Sequence, residues 1–228
     1  MAAIVTVVLA ALAVTATFTP LFQASALHLR GMGTIPREEF LRLAGVRAGT
    51  NVFHLDTRAV ELRLENDPRI LEARVTTRLP GDVFIHVVRR SPVAVVGIPR
   101  ALVGADGVLI GPAAGVDQLP VLTSEGGAPP EGDRLDRAAA VAAAMSPSLR
   151  RAVEAVSIGR GGGLEVRLRA GFSADLGDAT ELRAKTASLA ALLEWAEERG
   201  VTVLAADLTV PGSPTAQLDR AGASVSVP

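Results

Sequence analysis

The side chains in this sequence that could do chemistry are few and scattered. Histidine occurs at positions 28, 54 and 86, and cysteine is absent from the 228 residues. Metal sites take His, Cys and acidic ligands at short, regular spacings. The three histidines have no such spacing and read as ordinary structural residues. Without cysteine there are no disulfides, thiol nucleophiles or zinc–thiolate sites. The run "GRGGG", residues 159–163, lacks the Lys-Ser/Thr pair and the strand–helix frame of a phosphate-binding loop, and reads as a flexible loop. "GFSAD", residues 171–175, misses the final glycine of a nucleophile elbow and falls within a hairpin pattern. Asp106, Asp175, Asp178 and Asp207 sit at turns or strand ends with no pairing in the sequence, and no Ser-His-Asp arrangement emerges. Lys185 lies on a helix and reads as a solvated or ion-paired surface lysine. The expectation is a protein that is not an enzyme and holds no metal or cofactor.

Composition narrows the partners. A net charge of −1 provides no overall field to attract nucleic acid. Aromatics make up 3% and tyrosine is absent, so base-stacking platforms are scarce. A nucleic-acid partner is not expected.

Arg30 is the first charged residue, and "MAAIVTVVLAALAVTATFTPLF" is almost wholly apolar. A bilayer-spanning helix needs roughly 20 apolar residues. Residues 1–19 just reach that length, and Pro20 is a natural stop. One reading is an uncleaved membrane anchor over residues 1–25. The other is a signal peptide cleaved near "ASA", residues 24–26, although it has no basic n-region. No Lys or Arg precedes the apolar run, so charge asymmetry gives no orientation. The expectation is that a basic N-terminal extension precedes the sequence as given.

The elements that must position any site come next. "ALHLRGM" alternates as a short strand. "TIPREEFLRLAG" predicts a helix with Pro36 at its start, Gly45 beyond its end, and Glu38 and Glu39 at the positive end of its dipole. "LDTRAVELRLEN" predicts a second helix, N-capped by Asp56, with Leu55 stapled to Val60 and with Val60 and Leu64 on one face. "ILEARVTTRLPGDVFIHVVRR" predicts a hairpin turning at "PGD". Leu71, Ala73, Val75, Thr77 and Leu79 are expected on its inner face, with Val83, Ile85 and Val87. Glu72, Arg74, Thr76 and Arg78 are expected outside. The order is β-α-α-β-β, with the helices on one sheet face. Arg74, Arg78, Arg89 and Arg90 read as a solvated outer face, or as a patch for a partner or lipid headgroups.

Further on, "PVAVVGI" is a compact apolar strand, and Asp106-Gly107 turns a hairpin in "ALVGADGVLIG". "TSEGGAPPEGD" has loop composition, and "RLDRAAAVAAAM" is helical. In "LEVRLRAGFSADLG", Leu164, Val166, Leu168 and Ala170 turn at Gly171 into Phe172, Ala174 and Leu176. Residues 180–199 form a long helix with Leu182, Leu189, Leu193 and Ala196 on one stripe, ended by Gly200. The expectation is one curved antiparallel sheet with helices on one face.

Taken in order, these pieces resemble the FtsQ/DivIB family of bacterial cell-division proteins. The resemblance runs nearly end to end. It rests on an apolar segment ending in "TPLF", Gly31, "PREEFLRLAGVRAGTNVFHLD", "LENDPRILEARVTTRLPGDVFIHVVRRSPVAV", "LVGADGVLI", "LPVLT", "GGLEVRLRAGFSADLGD", the Lys185 helix and "ADLTVPGSP". Only their order and spacing together are specific. The resemblance implies an α+β protein with a transmembrane anchor at 1–25, a POTRA domain at 26–90, a larger antiparallel β-domain with flanking helices at 91–218, and a tail at 219–228. It also implies a single-pass protein of the cell membrane, N-terminus in the cytoplasm and the rest outside, at the division septum. Two departures stand out: the family's cytoplasmic tail is missing, and "RRSPVA" carries Arg89 where an acidic residue is common.

Two functions follow. One is a scaffold that binds other bitopic division proteins, of the FtsB/DivIC-like and FtsL-like coiled-coil types, and acts indirectly on septal peptidoglycan synthesis. The other is a POTRA-type chaperone, or a secreted binding domain, handling exported polypeptides by strand addition. The partner site is expected at the end of the β-domain, in "ADLTVPGSPTAQL". Pro211 and Pro214 interrupt the alternation there and guard a last strand with no successor. Main-chain bonds of an added strand would supply affinity. The resemblance places the contact at Leu208, Thr209, Val210, Gly212, Ser213, Thr215, Ala216 and Gln217, with Arg183 and Lys185 as electrostatic neighbours.

Overall fold

The computed structural model describes residues 1, 4–9, 15, 22–47, 49–115, 118–219 and 224–226. Residues 4–9 are helical, but most of the expected anchor, Pro20 included, lies outside the described residues, as does most of the tail. No helix among the described residues is long and apolar enough to cross a membrane. The chain divides into two units, Met1–Arg90 and Ser91–Pro228.

The first unit has the order β1 (Ala26–Arg30), α1 (Arg37–Ala44), α2 (Thr57–Glu65), β2 (Ile70–Arg78) and β3 (Asp82–Arg89). Its sheet runs β1-β3-β2, with β1 parallel and β2 antiparallel to β3. Pro36 precedes α1, where a missing N–H costs nothing. Gly45 closes α1 in the left-handed region, and its N–H bonds the carbonyls of Leu41 and Arg42. Asp56 caps α2 by accepting the Ala59 N–H at 3.0 Å. Phe40 and Ala44 from α1, and Val60 and Leu64 from α2, are buried with Ala73, Val75, Val83, Ile85 and Val87 of the sheet. Gly31 follows β1 at φ +83°, and a Cβ there would overlap the Val87 carbonyl, so the close approach requires glycine. Arg69 joins the loop before β2 to α1, pairing with Asp67 at 2.7 Å and Glu39 at 2.6 Å.

The hairpin register departs from simple alternation at its start. Leu71 is 50% exposed and Ile70 is fully buried, because the pairing with β3 shifts between Ile70 and Glu72. A bulge rotates the residue before it onto the other face. Leu79, beyond the strand end, is exposed as well, while Ala73 and Val75 are buried as expected.

The second unit holds a ten-stranded sheet. Its elements are β4 (Pro92–Val96), β5 (Ala101–Gly104), β6 (Leu109–Pro112), β7 (Val121–Ser124), α3 (Asp133–Ala144), α4 (Pro147–Ala152), β8 (Val153–Ile158), β9 (Leu164–Leu168), β10 (Ser173–Gly177), α5 (Leu182–Arg199), β11 (Val203–Asp207), β12 (Thr215–Leu218) and β13 (Ser224–Ser226). The strand order is β13-β12-β11-β10-β9-β8-β7-β4-β5-β6. The two expected hairpins, β5–β6 and β9–β10, are antiparallel. The sheet as a whole is mixed, however: β4 with β7, β7 with β8, and β10 with β11 are parallel. The helices explain two of these pairs. A strand reaching a parallel neighbour needs a crossover, and α3 with α4 carries β7 to β8, as α5 carries β10 to β11. α3 packs over β4, β7 and β8 and against α5, which reaches β10. Ala138, Ala139, Val141 and Ala142 of α3 are buried, small enough to seat the helix close on the sheet.

Candidate partner-binding site

The segment carrying the expected contact is a hairpin. β11 and β12 pair antiparallel, with Ala206 opposite Ala216, and residues 208–214 are the loop between them. Pro211 and Pro214 therefore sit in a loop rather than within an edge strand. The strand after them also has a successor, since β13 pairs with β12, Ala216 facing Val225 and Gln217 facing Ser224. Short polar segments such as "SVS" carry little strand signal, so in the sequence alone β12 reads as the last strand.

The loop is fixed to two neighbours. The Leu208 N–H bonds the Asp175 carbonyl at 2.7 Å, continuing the parallel β10–β11 ladder, and the Leu208 side chain is fully buried. The Ser188 hydroxyl on α5 donates to the Pro211 carbonyl at 3.0 Å. Asp207 accepts the Thr209 N–H at 2.9 Å and its hydroxyl at 2.7 Å, and these bonds hold the Asp207 carboxyl below its ordinary range. Gly177, at φ +65°, ends β10 directly under Thr209; a Cβ there would lie 2.9 Å from the threonine methyl.

Of the two expected readings, solvated or ion-paired, Lys185 takes the ion-paired one, but it is buried rather than at the surface. It is 1% exposed. Its Nζ donates to the Asp178 carboxylate at 2.8 Å and to the Asp178 carbonyl at 3.1 Å. The carboxylate also accepts the Thr180 N–H, at 3.1 Å, and its hydroxyl. The lysine first and then the threonine hold the Asp178 carboxyl well below the usual range. A buried stem with its ammonium reaching an exposed acid fastens the β10–α5 turn. Glu181, at φ 50°, occupies the left-handed region at that turn, a strained position for a side chain of its size.

The structure thus gathers the end of β10, the first turns of α5 and the β11–β12 loop. Of the expected contact residues, Thr209, Val210, Gly212, Ser213, Thr215, Gln217 and Arg183 are exposed, whereas Leu208, Ala216 and Lys185 are buried. Val210 is the exposed apolar residue of the loop, at 59%. Sequence reasoning missed Gly177 and Ser188, which shape and tether the loop. Ser188 is three residues beyond Lys185 and so on the same helix side, the one signal that could have drawn attention to it.

The three histidines remain apart in role. His28 stacks on Phe84 with centroids 4.5 Å apart and lies 3.5 Å from Asp82. His86 faces Arg74 and Arg30 in register, and the His54 ring lies 5.4 Å from Phe53. Among the described residues no three His, Asp or Glu side chains are grouped to hold a metal.

The family described as POTRA domain, FtsQ-type, matches residues 22–90. Over 217 residues, 94% of this chain, the sequence is 31% identical to a protein of Mycolicibacterium smegmatis named cell division protein FtsQ, covering 63% of that protein. A Myxococcus fulvus protein of the same name is 30% identical over 178 residues, 68% of this chain and 61% of its own length. A Mycobacterium tuberculosis namesake is 37% identical over 78 residues, 34% of this chain and 25% of its own length. The chain spans less than two thirds of the length of these relatives. With an FtsQ-type POTRA domain in its first unit and FtsQ-named relatives aligned over nearly its whole length, the chain belongs to the FtsQ family of cell division proteins.

Proposed function

We propose that this chain is a non-enzymatic, membrane-tethered component of the bacterial division machinery whose second unit docks small single-pass division proteins of the FtsB/DivIC and FtsL types. The apolar residues 1–19 serve as the tether, with both folded units outside the cytoplasm. The observation that carries the docking site is the tethered, exposed β11–β12 loop, held by Leu208 from below and by Ser188 from the side, with the apolar Val210 at its surface. Restraint before binding lowers the ordering cost of association.

Strand addition beside β12 meets the chain's own β13, a three-residue strand on that side. The partner strand takes the place of β13 or adds outside it. A truncation after Asp219 distinguishes these routes. Partner capture from solubilised membranes should strengthen when β13 is removed, if the partner takes its place. Weakened capture by a truncated protein with unchanged melting would mean that β13 forms part of the docking surface. Capture unaffected by truncation, and equally unaffected by Val210→Asp, would rule this edge out.

A further inference from the structure

The outer edge of β2 is occupied by side chains instead of a strand. Glu61 Oε1 accepts the Val75 N–H at 2.9 Å, and Glu65 Oε1 accepts the Ala73 N–H at 3.2 Å. Both glutamates lie on α2, four residues apart. Four helical residues advance about 6 Å, and two extended residues advance roughly 6.7 Å. The spacings match, so carboxylates at i and i+4 of a helix running antiparallel to the strand reach two successive outward amides. Arg58 Nη1 holds the other Glu61 oxygen at 3.2 Å, which fixes that carboxylate from both sides. The Glu61 side chain is only 16% exposed, and the Val75 N–H bond is the main cause holding its carboxyl below the ordinary range.

An edge strand with free amides invites pairing with another chain. β2 is nine residues long, and Leu71 and Leu79 at its two ends are half exposed. A second copy of the same strand complements it. Antiparallel pairing centred on Ala73 sets Glu72 of each copy opposite Arg74 of the other, and opposite charges directly across a ladder are favourable. We propose that Glu61 and Glu65 form a lock on this edge: they take the place of a neighbouring strand and keep β2 from pairing with β2 of a second copy of this chain.

The chain has no cysteine, so Thr76→Cys introduces a single site for a spin label on the exposed face of β2. In the pairing centred on Ala73, two such labels are six residues apart along the strands, about 20 Å. Pulsed electron–electron distance measurements on the labelled full chain in detergent micelles test this. The otherwise unchanged chain should give no intermolecular distance. Glu61→Ala with Glu65→Ala should give a population near that distance, and Glu61→Gln with Glu65→Gln, which keeps both carbonyl acceptors, should not. No new distance in the alanine pair, with circular dichroism unchanged, would overturn the proposal, as would the same distance in the unlocked and the unchanged chains. If the alanine pair fails to fold, amide hydrogen exchange decides: Glu61→Ala alone should speed exchange at Val75, and Glu65→Ala alone at Ala73. Exchange at both amides as fast in the unchanged chain as in these variants would mean that the glutamates close nothing.

Discussion

Val75→Asp places a carboxylate on the covered face of β2, and its effect can be worked from the structure. Val75 is 5% exposed, among Val60, Leu64, Ala73 and Ile85. Losing its apolar burial costs roughly 1.5–2 kcal/mol. The new carboxyl finds no cation there, and Glu61 already holds the Val75 N–H, so it stays protonated. Holding a group of ordinary pKa near 3.9 neutral at pH 7 costs about 1.4 kcal/mol per unit over about three units, or about 4 kcal/mol. The sum, about 6 kcal/mol, is comparable with the whole stability of a unit this small. The folded-state pKa is raised, so the penalty is absent below the unfolded value and grows as pH rises above about 4. Thr76→Asp, on the exposed face between Arg74 and Arg78, should change stability by less than about 0.5 kcal/mol. Hydrogen exchange of the β2–β3 segment in the full chain, at pH 5 and pH 7, is the assay. Val75→Asp should lose protection at pH 7 and regain part of it at pH 5. Equal loss in both variants, or a Val75→Asp effect independent of pH, would refute the assigned register and the burial argument.

Three other outcomes follow from the second unit. Lys185→Met, which keeps the buried stem, should change stability by under about 1 kcal/mol, whereas Lys185→Ala should cost about 2–3 kcal/mol in urea unfolding. The Asp178 carboxyl is depressed in the folded state, so its contribution is complete above the unfolded pKa and is lost as pH falls through the folded one; Asp178→Asn should flatten the acid limb of stability below about pH 4. Gly177→Ala meets both a positive φ and the Thr209 methyl, and should lower the melting temperature and loosen the 208–214 loop, read as faster exchange at Leu208.

Much of the architecture was legible wherever a local rule suffices. Asp106-Gly107 and Gly171 mark their hairpins because a glycine at positive φ closes a short turn, with the Gly107 and Gly171 N–H groups bonding back to the carbonyls of Gly104 and Leu168. Pro36, Gly45 and Asp56 mark helix ends because caps act within one turn. What the sequence concealed was non-local. No local signal says that β4 runs parallel to β7, since that pairing spans a hairpin and a loop. The bulge that exchanges Leu71 for Ile70 depends on the register with β3, beyond the reach of alternation along one strand. The six-residue α4, "PSLRRA", is too short for a periodic stripe. The Lys185 burial and the Glu61–Glu65 lock were hidden for one physical reason. Charged residues on a helix read as solvent-facing until the neighbouring turn or edge is placed beside them. At the candidate partner site the glycine and proline punctuation was visible, but along one segment it reads as an interrupted edge strand. That residues 208–214 are a loop between β11 and β12, and that β13 lies beside β12, depends on pairings the segment does not carry.

The central claim is that the exposed β11–β12 loop docks a small single-pass division protein. Photo-crosslinking in native membranes tests it most directly, with a photoreactive residue at Val210 in the loop or at Leu109 on β6, the opposite edge of the same sheet, both about half exposed or more. The account predicts a crosslink from Val210 to a small coiled-coil membrane protein and none from Leu109. A partner captured from Leu109 and absent from Val210 would contradict it.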